Sequence, residues 1–220
     1  TNQNVSDITG IEAFQSLTGF FMSSGSSPTS IDFTSNTNLE VIYISASTLS
    51  SININNLTKL KSINLPDANI SSLDVSTNTS LDYIGLGGNP ITSLDVSNNT
   101  VLKTLYLSNT SNITSIDLRN NPDLVTVGVN DSNMEYVDLR NGNNTNLVGG
   151  LDARNTPNLT CVNVDDVAYS VANWANIDNS SILAEHCNET YVPDAIFEAY
   201  LEANGMGNGI ANDDYVLTAN

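Results

Sequence analysis

A short phrase returns down this chain at a nearly constant interval, and that interval limits the folds open to it. Leu73-Asp-Val-Ser-Thr-Asn recurs as Leu94-Asp-Val-Ser-Asn-Asn, Ile116-Asp-Leu-Arg-Asn-Asn and Val137-Asp-Leu-Arg-Asn-Gly, with weaker copies beginning at Ile31 and Ile52. The starts at 31, 52, 73, 94, 116 and 137 are separated by 21, 21, 21, 22 and 21 residues. A fixed period of that length marks a solenoid, in which each turn is one unit stacked on its neighbours.

The apolar positions say what such a turn looks like. Leu73, Val75, Leu81, Ile84, Leu86 and Ile91 in one turn correspond to Leu94, Val96, Leu102, Leu105, Leu107 and Ile113 in the next. One turn cannot bury that many side chains alone, but stacked turns bury them against one another. Leu81-x-x-Ile84-x-Leu86-x-x-Asn89-x-Ile91 matches the leucine-rich-repeat phrase, and Ile91-x-x-Leu94-x-Val96-x-x-Asn99 nearly repeats it. Both halves hold an apolar-x-apolar pair, the period of a short strand with one buried face. The expected fold is mainly β: a leucine-rich-repeat solenoid of ~21-residue turns with two short parallel ladders per turn, a disulfide cap and a small C-terminal helix. Asn36, Asn78, Asn99 and Asn121 fall at equivalent corners, where an inward amide can satisfy backbone groups that a bend strips from the ladder. They form a structural asparagine ladder.

Four segments are expected: 1–30 as the N-terminal end and first cap, 31–164 as the solenoid, 165–190 as a disulfide-closed cap, and 191–220 as a helical segment. Cys161 and Cys187 are the only thiols and flank the irregular stretch after the periodic region, which reads as a disulfide and hence an oxidising compartment. The other reading is two buried free thiols in a cytosolic protein. In 191–220, Pro193 suits the first turn of a helix. Ile196, Phe197, Tyr200 and Leu201 fall on one apolar face, and Gly205 stops the helix. Such a helix could cover the open end of the solenoid.

With 24 Asp and Glu against 6 Lys and Arg, the formal net charge is −18. That repels phosphate backbones and argues against nucleic acid and anionic membranes as partners. No apolar run is long enough to insert into a bilayer, and Thr1 opens without the basic and apolar regions of a signal peptide, as a mature or excised product would. Catalysis is not expected. His186 stands alone beside Cys187, and neither a nucleophile-elbow, a zinc-helix nor a phosphate-loop phrase is present.

Outward positions carry the remaining information. Between the buried residues of the second ladder lie Asp32, Asn53, Asp74, Asp95, Asp117, Asp138 and, by extension, Asp152. At ~4.8 Å between strands, neighbouring carboxylates repel by about 1 kcal/mol per pair in water-like dielectric. Two residues further on come Thr34, Asn55, Ser76, Ser97, Arg119, Arg140 and Arg154, so only the later turns supply a guanidinium. Asp74, Asp95 and Asp117 therefore offer oxygen ligands to a cation. One carboxylate per turn is nonetheless fewer than a calcium-binding roll supplies, so no cofactor is required and a solvated, hydrogen-bonded column is the simpler reading. On the first ladder, Tyr43, Tyr83 and Tyr106 face outward, with Asn64, Gly85, Gly128 and Asn163 at equivalent columns. Tyrosines on a rigid sheet are candidate binding contacts, and equally ordinary residues of a half-exposed strand.

Ile8-Thr-Gly-Ile-Glu-Ala-Phe followed by Leu-Asp-Val-Ser-Asn-Asn turns resembles the leucine-rich-repeat region of large secreted Bacteroidetes (flavobacterial) cell-surface proteins. So do Asp138-Leu-Arg-Asn-Gly-Asn-Asn-Thr and Asn158-Leu-Thr-Cys-Val-Asn-Val-Asp-Asp, and the resemblance covers nearly the whole chain. It implies export by the gliding-associated route and a role as adhesin or surface-layer component. It also implies that Tyr191-Val-Pro-Asp-Ala-Ile-Phe-Glu-Ala-Tyr-Leu opens a following module, which Asn4 to Gly10 would continue in a tandem array. The function expected is a non-catalytic extracellular module that recognises protein or glycan through an exposed ladder face. The alternatives are a structural unit stacking end to end on copies of itself as a stalk, fibre or coat, and an accessory domain of a secreted enzyme.

Overall fold

The computed structural model describes residues 5–23, 28–45, 48–187, 189–210 and 213–217. Asn4 and the closing residues 218–220, which the tandem reading uses, lie outside them. The chain is a parallel β-solenoid. Its first ladder has seven strands: Gly19–Met22, Val41–Ile44, Ser62–Asn64, Tyr83–Gly85, Thr104–Tyr106, Thr126–Gly128 and Leu151–Asp152. All are parallel, and each step advances by one turn: Ile42 pairs with Ile63, Ile63 with Ile84, Ile84 with Leu105 and Leu105 with Val127.

The second ladder is interrupted. Ser30–Asp32 pairs with Ser51–Asn53, and a separate sheet joins Ser115–Asp117, Tyr136–Leu139, Cys161–Val164 and Ile182–Ala184. Between them Leu73, Val75, Leu94 and Val96 keep their side chains in the core, but residues 73–75 and 94–96 form no strand. These are the two turns whose column carboxylates, Asp74 and Asp95, are followed by serine and not arginine. Adjacent like charges there have no guanidinium to offset them.

The apolar positions of the repeat are buried, apart from Ile52, which is half-buried. Leu81, Ile84, Leu86, Ile91, Leu102, Leu105, Leu107 and Ile113 have no exposed surface. Full burial of such a side chain contributes about 1.5–3 kcal/mol. Asparagine amides hold one corner of most turns. Asn36 Nδ2 donates to the carbonyls of Ile11 and Phe14, and Asn78 to those of Ile54 and Leu57. Asn99 donates to Val75 (3.2 Å) and Asn78 (2.9 Å), and Asn121 to Val96 (3.0 Å) and Asn99 (2.9 Å). Where the series would have an amide between Asn36 and Asn78 stands Leu57, fully buried.

The opposite corner has its own buried polar series. Asn89 Nδ2 donates to the Leu65 and Leu86 carbonyls, and its Oδ1 accepts from Ile70 N. The Thr110, Ser132 and Thr156 hydroxyls donate to carbonyls three residues back. Just before this corner the backbone turns left-handed at Asp67, Gly88, Asn109, Asp131 and Asn155, the residue types that tolerate positive φ.

The C-terminal end departs from expectation. The Cys161–Cys187 disulfide is present, but α1 (Val167–Asn173), capped by Asp166, and the buried Trp174 close this end of the core. The second helix, α2 (Ala195–Ala203), does not cover it. Asp194 is its N-cap, accepting from Ile196 N and Phe197 N, so Pro193 precedes the helix and is not in its first turn. α2 turns Glu198 inward, where that side chain accepts from Asp213 N, and leaves Ile196 85% exposed with Phe197 and Tyr200 also exposed. The antiparallel pair Glu189–Tyr191 and Tyr215–Leu217 completes this appendage, and Gly205 at φ 72° follows the helix end.

Replacing Asn99 by alanine strips a partner from two buried carbonyls. A loss of about 2–4 kcal/mol in unfolding free energy is expected, measured by urea denaturation.

Candidate functional site

Register decides which outward residues meet. On the first ladder Tyr43 pairs with Asn64, Asn64 with Gly85, Gly85 with Tyr106 and Tyr106 with Gly128. Tyr83 lies in the neighbouring column, between Ser62 and Thr104. The Tyr83 and Tyr106 rings approach to 6.0 Å between centroids at 59°. Burial raises the Tyr83 hydroxyl above the ordinary tyrosine range, and the nearby Tyr106 and Tyr43 hydroxyls add to it. The three tyrosines thus form one cluster.

One column on each ladder carries a correction. Gly128 is followed in its column by Asp152, not by Asn163. Asn163 instead follows Asp138 on the second ladder. The two residues exchange the places that the repeat suggested.

A fourth aromatic belongs to the face. Phe21 pairs with Tyr43 and is 71% exposed. It precedes the first regular copy of the repeat, so periodicity does not reveal it. A local signal was available in Gly19, two residues earlier on the same face. A Cβ built at Gly19 would meet Phe21 Cε2 at 3.0 Å; at Gly85, Tyr83 Cε1 at 3.1 Å; and at Gly128, Tyr106 Cδ1 at 2.7 Å. Gly19 and Gly128 therefore leave room for the edges of the Phe21 and Tyr106 rings, and Gly85 leaves room first for the Asn64 amide, at 2.5 Å, and then for the edge of Tyr83.

The second-ladder column is built differently. In every turn the carboxylate or amide accepts the backbone N–H two residues on: Asp32 from Thr34, Asn53 from Asn55, Asp74 from Ser76, Asp95 from Ser97, Asp117 from Arg119 and Asp138 from Arg140. Side-chain and backbone hydrogen bonds from Ser76 hold the Asp74 carboxyl below the usual range, and Ser97 does the same for Asp95. Burial pushes Asp117 up, but the Arg119 bonds and charge more than reverse it, with Nη2 2.7 Å from Oδ2. Shallow grooves run between these turns, one of them lined by Ser93, Asp95, Ser97, Ser115 and Asp117. Among the described residues no three acidic, histidine or cysteine side chains converge closely enough to hold a metal ion.

His186 and Cys187 do not form a reactive pair. Cys187 is in the disulfide. The His186 ring stacks on Tyr215 at 3.5 Å, and its Nδ1 lies 2.6 Å from Glu189 Oε2. Glu189 in turn meets Arg140 at 2.9 Å, and Arg140 meets Asp138 at 2.6 Å. Tyr136 donates to Asp138 and receives a bond from Asn163, whose Oδ1 accepts from Cys187 N. Burial alone would lower the Arg140 pKa, but its bonds to Asp138 and Glu189 raise it. This buried network fastens the C-terminal appendage to the side of the second ladder.

No family model matches the chain, and no curated protein matches it. Solved structures do. An internalin (InlF) from Listeria monocytogenes has 18% identity over 86% of this chain and 59% of its own, with a TM-score of 0.49. The functional domain of InlJ from the same organism, described as including a cysteine ladder, has 15% identity over 83% and 61%, with a TM-score of 0.38. A leucine-rich-repeat protein of Leptospira interrogans has 17% identity over 79% and 45%, with a TM-score of 0.47. The chain thus spans about three-fifths of the two Listeria structures.

Two surfaces remain as candidates: an aromatic face whose outward strand positions are uncharged, and an acidic column whose oxygens already serve the backbone. In the network between them and the appendage, Arg140→Ala would leave Asp138 and Glu189 buried without their cation. A cost of about 3–5 kcal/mol is expected in urea denaturation.

Proposed function

We propose that the chain is a non-catalytic extracellular binding or adhesion module of a bacterial surface protein, and that the outward face of the first ladder makes the contact. The observation that carries this reading is the cluster of Phe21, Tyr43, Tyr83 and Tyr106 on one rigid sheet. Aromatic side chains offer large contact area for little entropy loss, and here their positions are set before any ligand arrives. The disulfide supports an oxidising compartment, hence a location outside the cytosol. The engagement of His186 and Cys187 in structural contacts supports a scaffold and not an enzyme. In a combined protein and glycan binding screen, the Tyr83→Ala and Tyr106→Ala variants should each lose about tenfold in affinity while keeping the wild-type melting temperature. Binding that both variants retain in full would move the site elsewhere.

A second reading, a structural unit of a stalk or coat, is favoured by one feature. Helix α2 leaves Ile196 85%, Phe197 53% and Tyr200 58% exposed, and another copy could cover that face. On this reading light scattering after size exclusion shows association that grows with concentration and that Ile196→Asp abolishes. A monomer at every concentration would remove it.

A further inference from the structure

We propose that the ligand of the aromatic face is a neutral polysaccharide, lying along the solenoid axis across successive strands. This rests on the binding-face reading above and adds the chemical class. Charge distribution is the first support. The chain has 24 acidic residues, yet the outward strand positions of the first ladder from Phe21 to Gly128 are all uncharged, and the column just before them, Glu40, Lys61, Asp82 and Lys103, alternates in sign with Lys61 2.8 Å from Glu40. The first charged strand position is Asp152, held by Arg154 at 2.6 Å. On the second ladder nearly every turn presents a carboxylate. A face whose strand positions carry no charge, within so acidic a protein, suits a ligand that brings no charge of its own.

The aromatic geometry is the second support. Phe21 and Tyr106 come close to Gly19 and Gly128 through ring-edge atoms and stay exposed, while Tyr83 is half-buried and tilted 59° to Tyr106. Rings leaning on the sheet offer a surface to lie on more than a projecting tip to fill a partner's pocket, which is how aromatic anchors act in protein interfaces. The π-face is the negative part of the ring quadrupole. The C–H bonds on one face of a pyranose carry the complementary partial positive charge, so sugar rings settle on aromatic faces. Around the rings lie Ser62, Asn64, Thr104 and Thr126, all half-buried and outward. These groups both donate and accept hydrogen bonds, as sugar hydroxyls do.

Length is the third. Phe21 and Tyr106 are four strand steps apart, which at ~4.8 Å per step is ~19 Å along the axis. A single sugar cannot reach across that distance, whereas a chain of several residues can touch every ring at once.

The test is affinity electrophoresis of the whole chain through gels holding neutral polymers (a β-glucan, a xylan, a galactomannan, an α-glucan) or acidic ones (alginate, polygalacturonate). Retardation by at least one neutral polymer, undiminished by high salt, is expected, with none by the acidic polymers. Tyr83→Ala and Tyr106→Ala should each weaken it by about tenfold. Gly128→Ala should weaken it comparably, because it keeps every ring but displaces Tyr106. Ser76→Ala on the second ladder should leave it unchanged, and thermal melting checks that each variant is folded. Retardation only by acidic polymers, retardation by none, or equal retardation of wild type and the tyrosine variants overturns the proposal. If instead a protein ligand binds and Tyr106→Ala abolishes that binding, the binding face stands and only the ligand class falls.

Discussion

Every turn of this molecule must pass its backbone hydrogen bonds to the next turn in the same register, and the rest of the structure depends on that handover. Strands of three or four residues offer few ladder bonds each, and the chain must bend sharply between them. At one corner Asn36, Asn78, Asn99 and Asn121 reach back to carbonyls of the preceding turn. At the other, Asn89, Thr110, Ser132 and Thr156 cap carbonyls inside the core. A buried carbonyl without a partner costs about 1–3 kcal/mol, so these short polar side chains let the corners enter an apolar interior at all.

Constant register also turns sequence columns into surface stripes. One ladder displays aromatic rings, glycines and hydroxyls; the other displays carboxylates that brace their own corners. The outward strand positions of the two ladders therefore differ in charge, and constant register keeps the two kinds of stripe apart. The same carboxylates that look like a cation site in a stacked sequence are each engaged by a backbone N–H two residues away.

The solenoid, its two ladders and its disulfide were legible because periodicity and burial reinforce one another over many turns. Asp152 and Asn163 were misplaced because Asp152-Ala-Arg154 imitates Asp138-Leu-Arg140, while the chain between them is lengthened by a 3-10 turn at Asn144–Asn146. That added length shifts the look-alike onto the opposite ladder. Phe21 was hidden because it precedes the regular phrases. The orientation of α2 was not legible for a different reason. Its apolar residues define a stripe, but Glu198, buried against Asp213 N, determines which side turns inward.

The interrupted second ladder gives the molecule a lengthwise mechanical character. A pull along the axis loads both sheets in parallel, like two seams of one sleeve. Around residues 73–75 and 94–96 one seam has no strand pairing, and the stitches there are the Asn78, Asn99 and Asn121 side chains. Tension would concentrate in the middle of the solenoid, away from the disulfide-reinforced end, and flexing would begin beside Asp74 and Asp95.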